Sequence, residues 1–298
     1  MSGIFSKHVR LVVGAELTAL LQTDFAGDGG AALPGLLYLL CDGPGLQSAV
    51  QAQAWPAVDA RFAGAASPDA YAVPFVRAYF DERLRTAEAP AQREFAGELI
   101  ANFTPCGSQF DHYIARLYAD GKTALADGRD GCVYAVGMRT NELSLSAAGQ
   151  LPRRTLSAFA AIYDRHAQRA ALGRMYDCFL GYYEQSVDRF GAHNRDDVLA
   201  SCWGALRQAA GRLMPRLRDP ALASHEEWVA TAPLRQALGF AVSGDLLVPS
   251  IFLRSRVRGV HPLPFEQVLV HPELGDTPAA AGLRAFLRAN RLPSRVLG

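Results

Sequence analysis

Apolar residues recur at steps of three and four over most of this chain, and the longest run in that rhythm is 153–213. Within it Leu172, Tyr176, Phe179, Tyr183, Val187 and Phe190 fall on one stripe of an α-helix, with Arg174, Asp177, Glu184 and Asp188 on the other side. Upstream the stripe is Leu156, Phe159, Tyr163, His166 or Ala167, and Ala170. At about 100° per residue it points more than a quarter turn away from the later one. One straight helix cannot present both stripes to one partner, so the pattern predicts two segments meeting near Gly173, where glycine lowers helix propensity. Gly191 suits a helix C-terminus, and Asn194 followed by Asp196 and Asp197 suits the start of the next helix. That helix carries Leu199, Cys202, Leu206, Ala209 and Leu213 inside and ends at Pro215.

The same reading predicts helices over 8–22, over 34–41 as a short buried helix, and over 46–62 with a break near Pro56. Others start at Ser67-Pro68, at Pro90, at Ser108 with Asp111 three residues on, at the capping box Ser224-His225-Glu226-Glu227, and at Thr277-Pro278. Period-two alternation, bounded by turn dipeptides, appears twice and predicts β-hairpins at about 132–146 and 248–271. The expected fold is therefore mainly α, a multi-helix globular bundle with two small β-hairpins. It reads as one mostly helical domain over 1–298, with a weak subdivision near 122–150 and a C-terminal α+β lobe over 240–298.

Composition narrows the function classes. Half of the 298 residues are hydrophobic, enough for a large core, and the net charge of +1 does not advertise nucleic acid as a partner. Lys7 and Lys122 are the only lysines among 30 basic residues, a bias that fits a high-GC bacterial genome. Each arginine must therefore be judged by its place and by its planar fork of donors. The five cysteines form no CxxC pair, which suggests reduced thiols used as small apolar packing in the cytoplasm. Glu16 interrupts the only apolar run near the N-terminus, so no signal peptide is expected. No run approaches the ~20 apolar residues that span a bilayer.

No phosphate loop, dinucleotide fingerprint, nucleophile elbow or zinc spacing is present. Gly27-Asp28-Gly29-Gly30 lacks a following Gly-Lys-Ser/Thr, and His225-Glu226 has Val229 where a zincin needs its second histidine. Two readings stand side by side. The first is a soluble helical enzyme of small-molecule, for instance biosynthetic, metabolism with an aromatic-lined pocket. Its catalytic candidates are His166, Tyr163 and His112; Tyr176 and Tyr183 would line the pocket, and Arg254, Arg256 and Arg258 would hold an anionic substrate group. A buried histidine in such a bundle can ligate haem or non-haem iron in an oxygenase, and His166, His193 and His261 are the candidates. The second is a non-catalytic bacterial effector or adaptor that binds an acidic protein through Arg254, Arg256 and Arg258, which alternate on one strand face.

Overall fold

Long amphipathic helices and strands segregate in this chain. The computed structural model describes residues 2–24, 32–52, 54–59, 69–103, 112–126, 131–146, 156–233, 239–243, 245–256, 263–274, 277–292 and 296–297. In chain order the elements are α1 (Ser2–Asp24), β1 (Leu36–Cys41), α2 (Gly43–Ala52), β2 (Trp55–Asp59), α3 (Asp69–Thr86) and α4 (Pro90–Phe103). Then come β3 (His112–Tyr118), α5 (Gly121–Ala126), β4 (Tyr134–Arg139), β5 (Leu143–Ser146), β6 (Ala158–Ala160), α6 (Arg165–Phe190) and α7 (Arg195–Leu213). The last are β7 (Glu227–Pro233), β8 (Gly239–Ser243), β9 (Leu246–Ser255), β10 (Phe265–Val270), α8 (Pro278–Ala289) and β11 (Val296–Leu297). They divide into two compact units, each assembled from three separate stretches of chain.

The first unit, Met1–Gly30, Ala63–Asp111 and Ile162–Pro220, is built from α1, α3, α4, α6 and α7. Val9, Val13 and Leu17, spaced by four, are fully buried on α1, which packs against α7. Phe80 of α3, Phe95 of α4 and Tyr176 and Tyr183 of α6 form an aromatic core with ring centroids 5.6–6.1 Å apart. The expected break at Gly173 does not occur, because α6 is one unbroken helix of 26 residues. The upstream stripe points elsewhere for a different reason: Phe159 lies in strand β6, and Asp164 caps α6 by accepting a 2.7 Å hydrogen bond from the Ala167 amide. Just inside that start, fully buried Gln168 donates to the carbonyls of Ile162 (2.6 Å) and Arg218 (2.7 Å) and accepts from Tyr71 Oη (2.8 Å). Three of its four hydrogen-bonding positions are thus filled without water. At the other end Asn194 makes no side-chain cap for α7; its Nδ2 instead donates to Phe190 O at 2.7 Å and closes α6.

The second unit, Ala31–Phe62, His112–Ala161 and Ala221–Gly298, holds every described strand in one large, curled sheet, antiparallel except for the β10–β11 pair. This overturns the expected mainly helical bundle with two hairpins. The order β11-β10-β4-β1-β3-β2-β9-β5 forks at β3. One edge of β3 is shared by β1 (Tyr38 opposite Tyr118) and β2 (Val58 opposite Ile114), and the other pairs with β7 over seven positions. Neither expected hairpin forms. β4 pairs with β1 and β10, β5 with β9, and β10 with β4 and β11, so the strands exist but their partners are distant in sequence.

The helix expected over 34–41 is strand β1, the segment after Pro56 is in strand β2, and the one expected from Ser108 is strand β3. Leu37 to Leu39, and His112 to Ala115, are buried at consecutive positions. A strand covered on both faces shows no alternation, and a short apolar run then reads equally well as a helix. The capping box at Ser224 also fails: a 3-10 turn over Pro220–His225 ends there, and Glu227 opens β7. Its carboxylate, with no exposed side-chain surface, faces Arg116 Nη1 of β3 at 3.1 Å, and His225 Nδ1 lies 4.0 Å away.

Tyr38 of β1 lies against two glycines. A Cβ on Gly121 would stand 2.6 Å from its ring, and one on Gly137 would stand 2.9 Å from it. Gly121→Val is therefore expected to destabilise the protein by about 1–3 kcal/mol through overpacking. A drop of several degrees in the thermal midpoint followed by circular dichroism checks this. Among the described residues no helix is long and apolar enough to cross a membrane.

Candidate anion-binding cleft

Helices α3 and α6 of the first unit meet where Tyr71 bonds Gln168 and where Tyr79 stands against Gly173. Past the Tyr71–Gln168 contact they leave a cleft of about 490 Å³. From α3 it is lined by Tyr79, Glu82, Arg83 and Thr86, which sit three and four apart on one face. From α6 come His166, Arg169, Ala170, Gly173, Arg174 and Asp177. Gly173 lets α3 approach closely at this point: a Cβ on it would lie 3.2 Å from Tyr79 Oη and 3.6 Å from Arg83 Nη2.

Arg83 is the most constrained of these side chains. Its Nε donates to Tyr79 Oη at 2.9 Å, and its guanidinium carbon lies 5.4 Å from the ring centroids of both Tyr79 and Tyr176. Its two terminal nitrogens have no hydrogen-bond partner among the described residues. Burial works against its charge, but the hydrogen bond to Tyr79 and the nearby Asp177 carboxylate outweigh that, and the guanidinium holds its proton above the usual range. Burial also raises the Tyr176 phenol, which therefore stays neutral beneath the arginine. Arg169 covers the Tyr79 ring as well, at 5.4 Å, and its Nη2 lies 2.7 Å from Glu82 Oε2. The hydrogen bond from Arg169 holds the Glu82 carboxyl below the ordinary carboxylate range.

The residues singled out in the sequence fall in different places. His166 is exposed on the first turn of α6, at the cleft. Tyr163 precedes the helix cap, half-buried and outside the lining. His112 is not at a helix start; it is the buried first residue of β3 in the second unit. Tyr176 is buried, its Oη donating to Gln92 O at 3.2 Å. Tyr183 Oη donates to Glu94 Oε2 at 3.1 Å and accepts from Arg195 Nε at 3.2 Å. Neither tyrosine lines the cleft, although the Tyr176 ring supports Arg83.

Arg254 on β9 is half-buried, its guanidinium carbon 5.4 Å from the Phe252 ring, while Arg256 lies exposed just beyond the strand. Arg258 and His261 lie outside the described residues. His193 is exposed in a short 3-10 turn, its Nε2 2.8 Å from Asn194 Nδ2. Among the described residues no group of three or more histidine, cysteine, aspartate or glutamate side chains gathers to hold a metal.

Sequence reasoning passed over Tyr79, Glu82, Arg83, Thr86 and Arg169. Tyr79 reads in the sequence as part of an apolar aromatic face with Tyr71, Phe75, Val76, Phe80 and Leu84, and Glu82, Arg83 and Thr86 lie beside that face on α3. Comparison with protein-family models, with curated proteins and with solved structures finds no match to this chain.

Proposed function

We propose that the chain is an enzyme of small-molecule metabolism that takes up a substrate carrying a carboxylate or phosphate group in the α3–α6 cleft. In this reading Arg83 and Arg169 hold the anionic group, and His166 exchanges a proton with it. The observation that carries the reading is Arg83, a guanidinium oriented by Tyr79 Oη and by the rings of Tyr79 and Tyr176, whose terminal nitrogens have no hydrogen-bond partner among the described residues. An arginine ordered beforehand loses less freedom on binding, and its planar fork matches two oxygens at once. The volume falls within the ~300–1,000 Å³ of small-molecule sites. Of the lining residues only Ala170 and Gly173 lack a polar side-chain group, a character that suits a hydrophilic anion and not the broad apolar faces of a haem.

Calorimetric titration with inorganic phosphate and with citrate tests the reading. Saturable binding that weakens as salt is raised is expected, and no binding of either probe at low salt overturns it. Gly173→Leu supplies a second test. The new side chain projects into the space facing Tyr79 and Arg83. It also replaces a poor helix former, a gain of up to about 1 kcal/mol. Loss of anion binding with the circular dichroism spectrum of the folded protein retained is the expected result.

A further inference from the structure

Two couples of opposite charge face each other between α3 and α6 in the cleft, and only one of them is closed. Glu82 and Arg169 meet at 2.7 Å. Arg83 and Asp177, which also line the cleft from these two helices, do not meet. The Asp177 carboxylate stands near enough to act on the Arg83 charge. Yet no hydrogen bond or ion pair joins it to Arg83 or to any other described residue. Gly173, one turn before Asp177 on the same face of α6, adds no side chain beside Arg83 Nη2, where a Cβ would stand at 3.6 Å. The cleft therefore holds an unpaired carboxylate close to the arginine that is oriented to receive an anion.

We propose that the ligand of this cleft is a zwitterion of the α-amino acid class, with its carboxylate on Arg83 and its ammonium on Asp177. The inference rests on the anion-binding reading of the cleft and narrows it to one kind of substrate. An unpaired carboxylate beside an anion site works against a simple anion, because like charges brought together repel. The same carboxylate favours a ligand that carries a cation next to its anionic group. In an α-amino acid the two charged groups hang from one carbon, so a single small molecule presents both at once. The planar fork of Arg83 matches the two oxygens of the α-carboxylate. The ammonium has three donors and no acceptor, and an ionised aspartate accepts only, so the second contact is equally matched. The rest of the lining, with Glu82, Thr86, His166 and Arg169, is polar and suits a hydrophilic side chain on the amino acid.

Calorimetric titration of the full chain with L-glutamate and with glutarate tests the proposal. The two probes differ only in the α-ammonium group, which glutarate lacks. The wild type should bind L-glutamate about tenfold more tightly, although glutarate carries the larger negative charge. Asp177→Asn should abolish that preference by weakening L-glutamate, and glutarate should bind the variant at least as tightly as it binds the wild type. Asp177 is exposed and bonded to no described residue, so the variant should keep the wild-type circular dichroism melt. A wild type that binds glutarate as tightly as L-glutamate, or an Asp177→Asn variant that keeps the preference, would overturn the proposal and leave anion uptake in the cleft intact. If glutarate, phosphate and citrate all fail to bind the wild type, the anion-binding reading has failed and this inference falls with it.

Discussion

Arg83→Ala is expected to weaken the binding of phosphate or citrate by about 10- to 100-fold. A hydrogen bond to a charged group is worth about 1.5–3 kcal/mol, and each 1.4 kcal/mol is tenfold in affinity. Arg83 has two terminal nitrogens to offer, and its Nε is already engaged by Tyr79. The variant also loses the contacts of the guanidinium with two tyrosine rings, a loss of about 1 kcal/mol in stability that a thermal melt would register separately. Arg83→Lys keeps the charge and discards the planar fork, so it should recover only part of the affinity. Arg169→Ala should have the smaller effect, because Arg169 is already paired with Glu82 at 2.7 Å. Affinity unchanged in Arg83→Ala would remove the cleft from consideration as the anion site.

The largest expected loss of stability lies in the second unit. Arg116→Met leaves the Glu227 carboxylate buried without its 3.1 Å partner, and breaking such a pair from one side destabilises by about 3–5 kcal/mol. The arginine side chain keeps 16% of its exposure, whereas the glutamate keeps none, so the penalty comes from the glutamate. His225 Nδ1, 4.0 Å from Oε1, is too far for a hydrogen bond that would replace the arginine. Adding Glu227→Leu to Arg116→Met removes the buried charge and should restore most of the loss, since a buried pair exchanged for apolar residues is often neutral. Trp228 neighbours Glu227 and is nearly buried, so with Trp55 and Trp203 replaced by phenylalanine its fluorescence in urea reports on this strand. Equal stability of Arg116→Met and wild type would show that the pair contributes nothing.

The helices of the first unit were legible because each has one wet face. Val9, Val13 and Leu17 on α1, and Cys202, Leu206, Ala209 and Leu213 on α7, repeat at helical spacing and are buried. On α1 the spacing of Leu11, Ala15, Leu17 or Thr18, and Leu21 suggested the inner face, and it is right at Leu17 but wrong at Leu11, which is 65% exposed. The strands of the second unit were legible only in part. Val136 in β4 and Ile251 and Leu253 in β9 announced strands, while β1 and β3, covered on both faces, imitated buried helices.

For the cleft, the sequence marked His166 and a break at Gly173, but the side chains that meet these residues come from α3, nearly a hundred residues earlier. Helical periodicity is a property of one segment, and nothing within α3 states which helix will cross it. Arg83 and Arg169 are two arginines among many until the same tyrosine ring stands beside both.

By itself, then, the sequence marked where α3, α4, α7 and α8 begin and which face of α7 is apolar, and it carries no common catalytic motif. Capping, glycine placement and period are local and act within a few residues. Tertiary structure alone decided that the strands join one forked sheet, that Glu227 is buried against Arg116 rather than capping a helix, and that polar stripes on α3 and α6 enclose a cleft. Strand pairing and helix crossing satisfy backbone and apolar groups through partners distant in the chain, and those partners are chosen only when the whole core is assembled.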